Sequence, residues 1–205
     1  MTLSALQSVT FYRRHLPHLF NADHTVFLTW RLHDSLPPER SFPQATLSSG
    51  KAFVAFDRLL EEARTGPMYL SQPPIADMVT EAIHYNATEL RHYELHSFVV
   101  MPNHVHLLIS PRIAVPKLTR SLKGITAKRA NQMLGLTGKP FWQEESFDRL
   151  VRDETEFEKI RAYIEDNPVR AGLAREGTEF RWSGAGWAAG GPPAECAQHG
   201  QNLIG

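Results

Sequence analysis

The sequence predicts a mixed α+β domain, and three observations carry that reading. Two short apolar runs flank Pro102-Asn103 in F-V-V-M-P-N-H-V-H-L-L-I-S-P (98–111), which has the chemistry of a tight turn between strands. An earlier run, Thr25 to Leu32 (T-V-F-L-T-W-R-L), is rich in β-branched and aromatic residues and reads as a first strand. Around these lie segments whose apolar residues recur at helical spacing.

The totals narrow the class. With 205 residues there is room for one domain with a proper core. A composition of 42% hydrophobic and 21% charged residues excludes a disordered chain. The 22 basic and 22 acidic residues cancel, so overall charge identifies no partner. Cys196 is the single cysteine, which excludes an internal disulfide and a CxxC metal or redox site. No apolar run approaches the roughly 18–20 residues of a membrane helix. The N-terminus lacks the apolar core of a signal peptide, and a cytoplasmic location is the expectation.

Taken in order, residues 1–24 show no clear periodicity around Tyr12-Arg13-Arg14-His15 and read as an irregular leader. After the first strand, Pro37-Pro38 and Pro43 mark a loop. Phe53, Phe56, Leu59 and Leu60 predict a helix over 53–63. Ile75, Met78, Val79, Ala82 and Ile83 predict a second, with Pro74 in its first turn. Tyr93 to Met101 and His104 to Ile109 form the hairpin. From Pro116 to about Leu134, Leu118, Leu122, Ile125 and Met133 trace one helical stripe. Asp153 opens the last helix with a D-x-x-E start, Phe157, Ile160 and Ile164 are its buried stripe, and Pro168 is expected to end it. From Glu176 the chain is rich in Gly, Ala and Pro, with Trp182 and Trp187 placed to fold back onto the body. The organisation is therefore a leader (1–24), one domain (25–175) and a tail (176–205), the last dozen or so residues reading as poorly ordered.

Three features carry chemistry. His104 and His106 lie two apart on a strand, so both imidazoles share a face and Val105 takes the other. That pair is either a bidentate metal platform or a hydrogen-bonded pair lining a hairpin. Tyr163 and Asn167 lie four apart on the last helix, one turn from each other on one face. Between Arg112 and Gln143 there are seven Lys/Arg residues and no acid, Lys117, Arg120, Lys123, Lys128 and Arg129 among them. One-sided charge of this kind is a solvated face or a polyanion contact. Trp142 is either core or a stacking surface for bases. Arg149 and Arg152 are either phosphate contacts or partners of Asp148 and Asp153.

The ordered set H-V-H (104–106), F-W-Q-E-E-S-F-D-R-L-V-R-D (141–153) and Y-I-E-D-N-P-V-R-A-G-L (163–173) resembles the single-tyrosine HUH, or IS200-like, transposases, and within them the REP-associated tyrosine transposases. V-M-P-N before the histidines and F-L-T-W-R-L-H-D-S-L-P (27–37) are similar to that branch, so the resemblance runs from about Tyr12 to Trp182. It implies a ferredoxin-like antiparallel sheet with helices on one face and the histidines on a central strand. It implies Tyr163 as nucleophile and His104, His106 and Asn167 as ligands of Mg²⁺ or Mn²⁺, two imidazoles being the more natural set for Mn²⁺. The activity implied is cleavage and strand transfer on single-stranded DNA at palindromic repeat hairpins through a 5′-phosphotyrosine link, by a monomer or homodimer and with no membrane partner. Lys117, Arg120, Lys123, Lys128, Arg129, Trp142, Arg149 and Arg152 are then the expected DNA contacts. A domesticated protein that binds such hairpins without cutting them is the alternative.

Overall fold

The computed structural model describes residues 10–13, 17–20, 24–36 and 66–190. The helix expected over 53–63 and the last fifteen residues lie outside them. β1 (Thr10–Arg13) and β2 (Pro17–Phe20) pair antiparallel, so the leader read as irregular contains a two-stranded ribbon. Its Thr, Phe and Tyr favour extended backbone over a segment too short to show periodicity.

The body is a four-stranded antiparallel sheet, order β4-β5-β3-β6, built from β3 (Val26–Arg31), β4 (Tyr93–Val100), β5 (His104–Pro111) and β6 (Phe147–Leu150). Helix α1 (Pro73–Thr88) joins β3 to β4, and α2 (Val115–Leu134) joins β5 to β6. This β-α-β-β-α-β order is the ferredoxin-like arrangement, with β5 central as expected. β6 was not anticipated. Its F-D-R-L is too short and charged to read as a strand alone, and pairing with β3 decides its conformation.

Strand alternation divides the core between two faces. Val26, Leu28, Trp30, Val105 and Leu107 bury against α1 and α2. Phe27, Val99 and Leu108 bury on the other face with Ile164 of α3 (Glu154–Arg170). The two sheet-connecting helices thus share one face, as expected, while α3 covers the opposite one. A polar group entering this interior needs a partner. The Tyr93 hydroxyl finds one by donating to the Ile83 carbonyl, 2.7 Å away.

The start of α3 is well capped. Asp153 Oδ1 accepts from the Glu156 amide at 2.8 Å, and Glu156 Oε2 accepts from the Arg152 amide at 2.9 Å. Pro168 does not end the helix, which runs on to Arg170. The proline removes only the bond to the Ile164 carbonyl, and the Asn167 carbonyl still accepts from Ala171 N at 3.0 Å.

The segment after Glu176 folds back. The Val100 amide donates to the Trp182 carbonyl (2.8 Å), and Trp182 Nε1 donates to Asp77 Oδ1 (2.8 Å). Trp187, in the short helix α4 (Gly184–Gly190), stacks on His84 with centroids 4.0 Å apart. Gly186 is required here, since a Cβ would lie 2.1 Å from the Phe180 carbonyl oxygen. Among the described residues no helix is long and apolar enough to cross a membrane.

Candidate active site

His104 and His106 open β5 on the face that α3 covers, and both are buried. Their ring centroids stand 4.7 Å apart. Each ring is oriented through Nδ1. His104 Nδ1 lies 2.6 Å from Asn103 Oδ1, and His106 Nδ1 lies 2.7 Å from Thr29 Oγ1, across the β3–β5 register. An amide oxygen only accepts, so the Asn103 contact makes Nδ1 of His104 the protonated nitrogen and Nε2 the one with a lone pair. The Thr29 hydroxyl can accept from His106 in the same sense. Such partners are what fix the tautomer of metal-ligating histidines.

Helix α3 brings Tyr163 to this platform. Its ring centroid is 6.0 Å from that of His106, with the planes inclined at 63°. The Arg170 guanidinium lies over the Tyr163 ring, 4.9 Å from its centroid. Asn167, one turn further along the same helix face, is fully buried. The Nε2 atoms of both histidines, the Tyr163 hydroxyl and Asn167 Oδ1 are all shielded from solvent.

The donor set fits a divalent ion of intermediate hardness. Two imidazoles with ordered tautomers supply nitrogen, and the Asn167 amide supplies oxygen. Among the described residues no three His, Cys, Asp or Glu side chains gather as a metal cluster. A metal ion here would be held by the two imidazoles and the neutral Asn167 oxygen.

The expected DNA-contact set is divided by the structure. Lys117, Arg120 and Lys128 are exposed on α2. Lys123 instead donates from Nζ to the Gln143 carbonyl (2.7 Å), the Glu144 carbonyl (2.8 Å) and Ser146 Oγ (3.1 Å), pinning the loop before β6. Arg129 pairs with Glu81 of α1 at 3.8 Å. Trp142 is core, because its indole is buried edge-on to Trp30 and its Nε1 donates to Thr126 Oγ1 at 2.9 Å. An unmet indole N–H would be costly there, and this bond holds the ring inward. Arg149 and Arg152 meet on Glu156, with Arg152 Nε 2.9 Å from Glu156 Oε2. Burial pushes the Glu156 carboxyl up, but the bonds from Arg152 and the nearby Arg149 charge prevail and bring it to about 2.

Sequence reasoning missed four residues that shape the site. Asn103 was read only as a turn residue, although its place beside His104 was a signal. Thr29, a polar residue in the apolar run F-L-T-W, was another. Glu156 was read as a capping partner only. Arg170 carried no separable signal.

The fold is a ferredoxin-like sheet with a histidine pair on its central strand and a tyrosine-bearing helix laid across that strand. Comparison places it further. A family profile described as "Transposase IS200 like" matches residues 69–167, just under half of the chain. A REP-associated tyrosine transposase solved bound to a REP hairpin is similar in fold, with TM-score 0.53, 18% identity, and coverage of 89% of this chain and 87% of that one. A candidate transposase from Deinococcus radiodurans R1 has TM-score 0.42 and 19% identity over 76% of this chain and 97% of its own. No curated protein matches the chain significantly.

Proposed function

We propose that this protein is a divalent-metal-dependent transposase of the REP-associated type, cleaving and rejoining single-stranded DNA at or near a palindromic repeat hairpin. The observation that carries the reading is the meeting of the His104–His106 pair with the Tyr163 ring inside an IS200-like transposase domain. The similar fold of a transposase bound to a REP hairpin makes such a hairpin the substrate to try.

His104, His106 and Asn167 would hold Mg²⁺ or Mn²⁺, which when bound polarises a phosphate oxygen and offsets charge in the transition state. Thr29 and Asn103 keep the two rings turned for that task. Tyr163 is the nucleophile. A phenol is a poor nucleophile until it loses its proton, and the Arg170 guanidinium lies over the Tyr163 ring with its positive charge. The phenolate oxygen bonds to phosphorus, the P–O3′ bond breaks, and the 3′ oxygen leaves and takes up a proton. The product is a 5′-phosphotyrosine and a free 3′-hydroxyl. Attack by a 3′-hydroxyl reverses the step, so no nucleotide triphosphate is consumed. Histidines and tyrosine come from one chain, which supports a monomer able to assemble its own site.

The test is a denaturing gel of full-length protein with a labelled single-stranded hairpin taken from beside its own gene, with Mn²⁺ or Mg²⁺. A covalent band that needs metal and disappears in His104→Ala/His106→Ala supports the reading. Hairpin binding that chelator does not change, with no covalent band at any metal concentration, would replace it with a binding protein that does not cut.

A further inference from the structure

We propose that the cleft between α2 and residues 139–146 binds a single unpaired deoxynucleotide of the DNA strand, a reading that rests on the DNA chemistry proposed above. The cleft measures about 410 Å³, within the range of sites that take a small organic ligand. Pro116, Ala127 and Pro140 give it an apolar wall suited to the face of a base. Arg120 and Lys139, both exposed, stand at its edge with charge for one phosphate. Glu145 offers an acceptor for an exocyclic amine. A lining that mixes cations with acids suits a flat polar base carrying one phosphate better than a bare polyanion.

Gly124 is the most informative lining residue. It sits inside α2, where glycine is less favourable than alanine. Nothing in the fold asks for it, since a Cβ there would meet no atom within 4 Å. Its lack of a side chain keeps the cleft open. The three bonds from Lys123 Nζ pin the 143–146 rim, so the cleft is formed in advance of any ligand. Its place suits the proposed reaction. The Gln143 amide donates to the Arg31 carbonyl at 2.9 Å, and Arg31 is paired in register with His104. The cleft therefore lies beside the end of the sheet where His104 stands, with α2 on the opposite face from the histidines.

The test is heteronuclear NMR of the full chain titrated with each of the four deoxynucleoside 5′-monophosphates at millimolar concentration, with inorganic phosphate as control. At least one nucleotide should shift the Gly124 and Gln143 amides saturably, and phosphate should not reproduce the shifts. Gly124→Leu should weaken this binding by about tenfold or more with the rest of the spectrum unchanged, and Gly124→Ala should hold it within about twofold. No shift with any nucleotide, the same shifts with phosphate alone, or undiminished binding by Gly124→Leu would overturn the proposal. A covalent Tyr163 adduct without nucleotide shifts refutes this cleft and leaves the proposed chemistry standing. Shifts without any adduct refute that chemistry and not the cleft.

Discussion

Tyr163 and His106 face each other between α3 and β5 with ring centroids 6.0 Å apart, although they lie far apart in sequence. This relationship joins the two halves of the site. The histidines belong to a strand fixed at the centre of a sheet, and the tyrosine to a helix laid over that strand. Whatever holds α3 in place would therefore govern the proposed reaction.

Removing only the hydroxyl of Tyr163 should separate chemistry from structure. Its ring packs with the apolar residues under α3 and is kept in Tyr163→Phe. Covalent adduct formation should fall by about 10³-fold or more, as for loss of a nucleophile, with hairpin affinity unchanged within about twofold. Stopped adduct formation and fluorescence anisotropy measure the two quantities.

Thr29→Val should loosen the hold on metal without touching a ligand. The hydroxyl that orients His106 at 2.7 Å is lost, and the ring is freed to choose the wrong tautomer. Mn²⁺ affinity by calorimetry should drop by about 10–100-fold, the usual effect of such outer partners. An unchanged affinity would mean that Thr29 does not set the His106 tautomer.

Glu156→Gln should weaken the anchorage of the tyrosine helix. The carboxylate, with 11% of its side chain exposed, joins Arg149 of β6 to Arg152 ahead of α3. Its loss should cost about 1–2 kcal/mol in denaturant unfolding. The sign with pH follows from its pKa of about 2, below the 4.5 of an ordinary glutamate. The stabilisation is fully present above pH 4.5 and disappears as pH falls toward 2. The gap between wild type and variant should close over that range.

His84 should make the fold acid-sensitive at a higher pH. Burial, with Trp187 stacked on the ring and Phe98 edge-on to it, lowers its pKa from 6.5 to about 4. Below pH 6.5 the unfolded chain takes up this proton and the folded one does not, so stability falls between pH 6.5 and about 4. His84→Phe keeps an aromatic ring against Trp187 and removes the proton site. Its unfolding midpoint should change less than wild type between pH 7 and pH 5, read by urea titration.

Much of this was legible in the chain because it depended on short-range rules. Period-two alternation placed His104 and His106 on one face. Helical spacing put Tyr163 and Asn167 together, and Asp153 capped its helix as its position suggested. What stayed hidden depended on distant partners. Trp142 could be assigned to the core only once Thr126 was seen beneath its N–H. The ends of Arg149 and Arg152 depended on which carboxylate α3 brought near. β6 exists because β3 offers an edge, and Pro168 sits within its helix because that helix ends two residues later in any case. No local pattern could have shown that α3 lies on the face opposite α1 and α2.

The most direct measurement is peptide mapping of the covalent protein–DNA species by tandem mass spectrometry, after nuclease trimming and proteolysis. The account predicts the nucleotide phosphate mass on Tyr163, within the peptide Ala162–Arg170, and on no other residue. The same mass on another tyrosine, on a serine or on a histidine would contradict it.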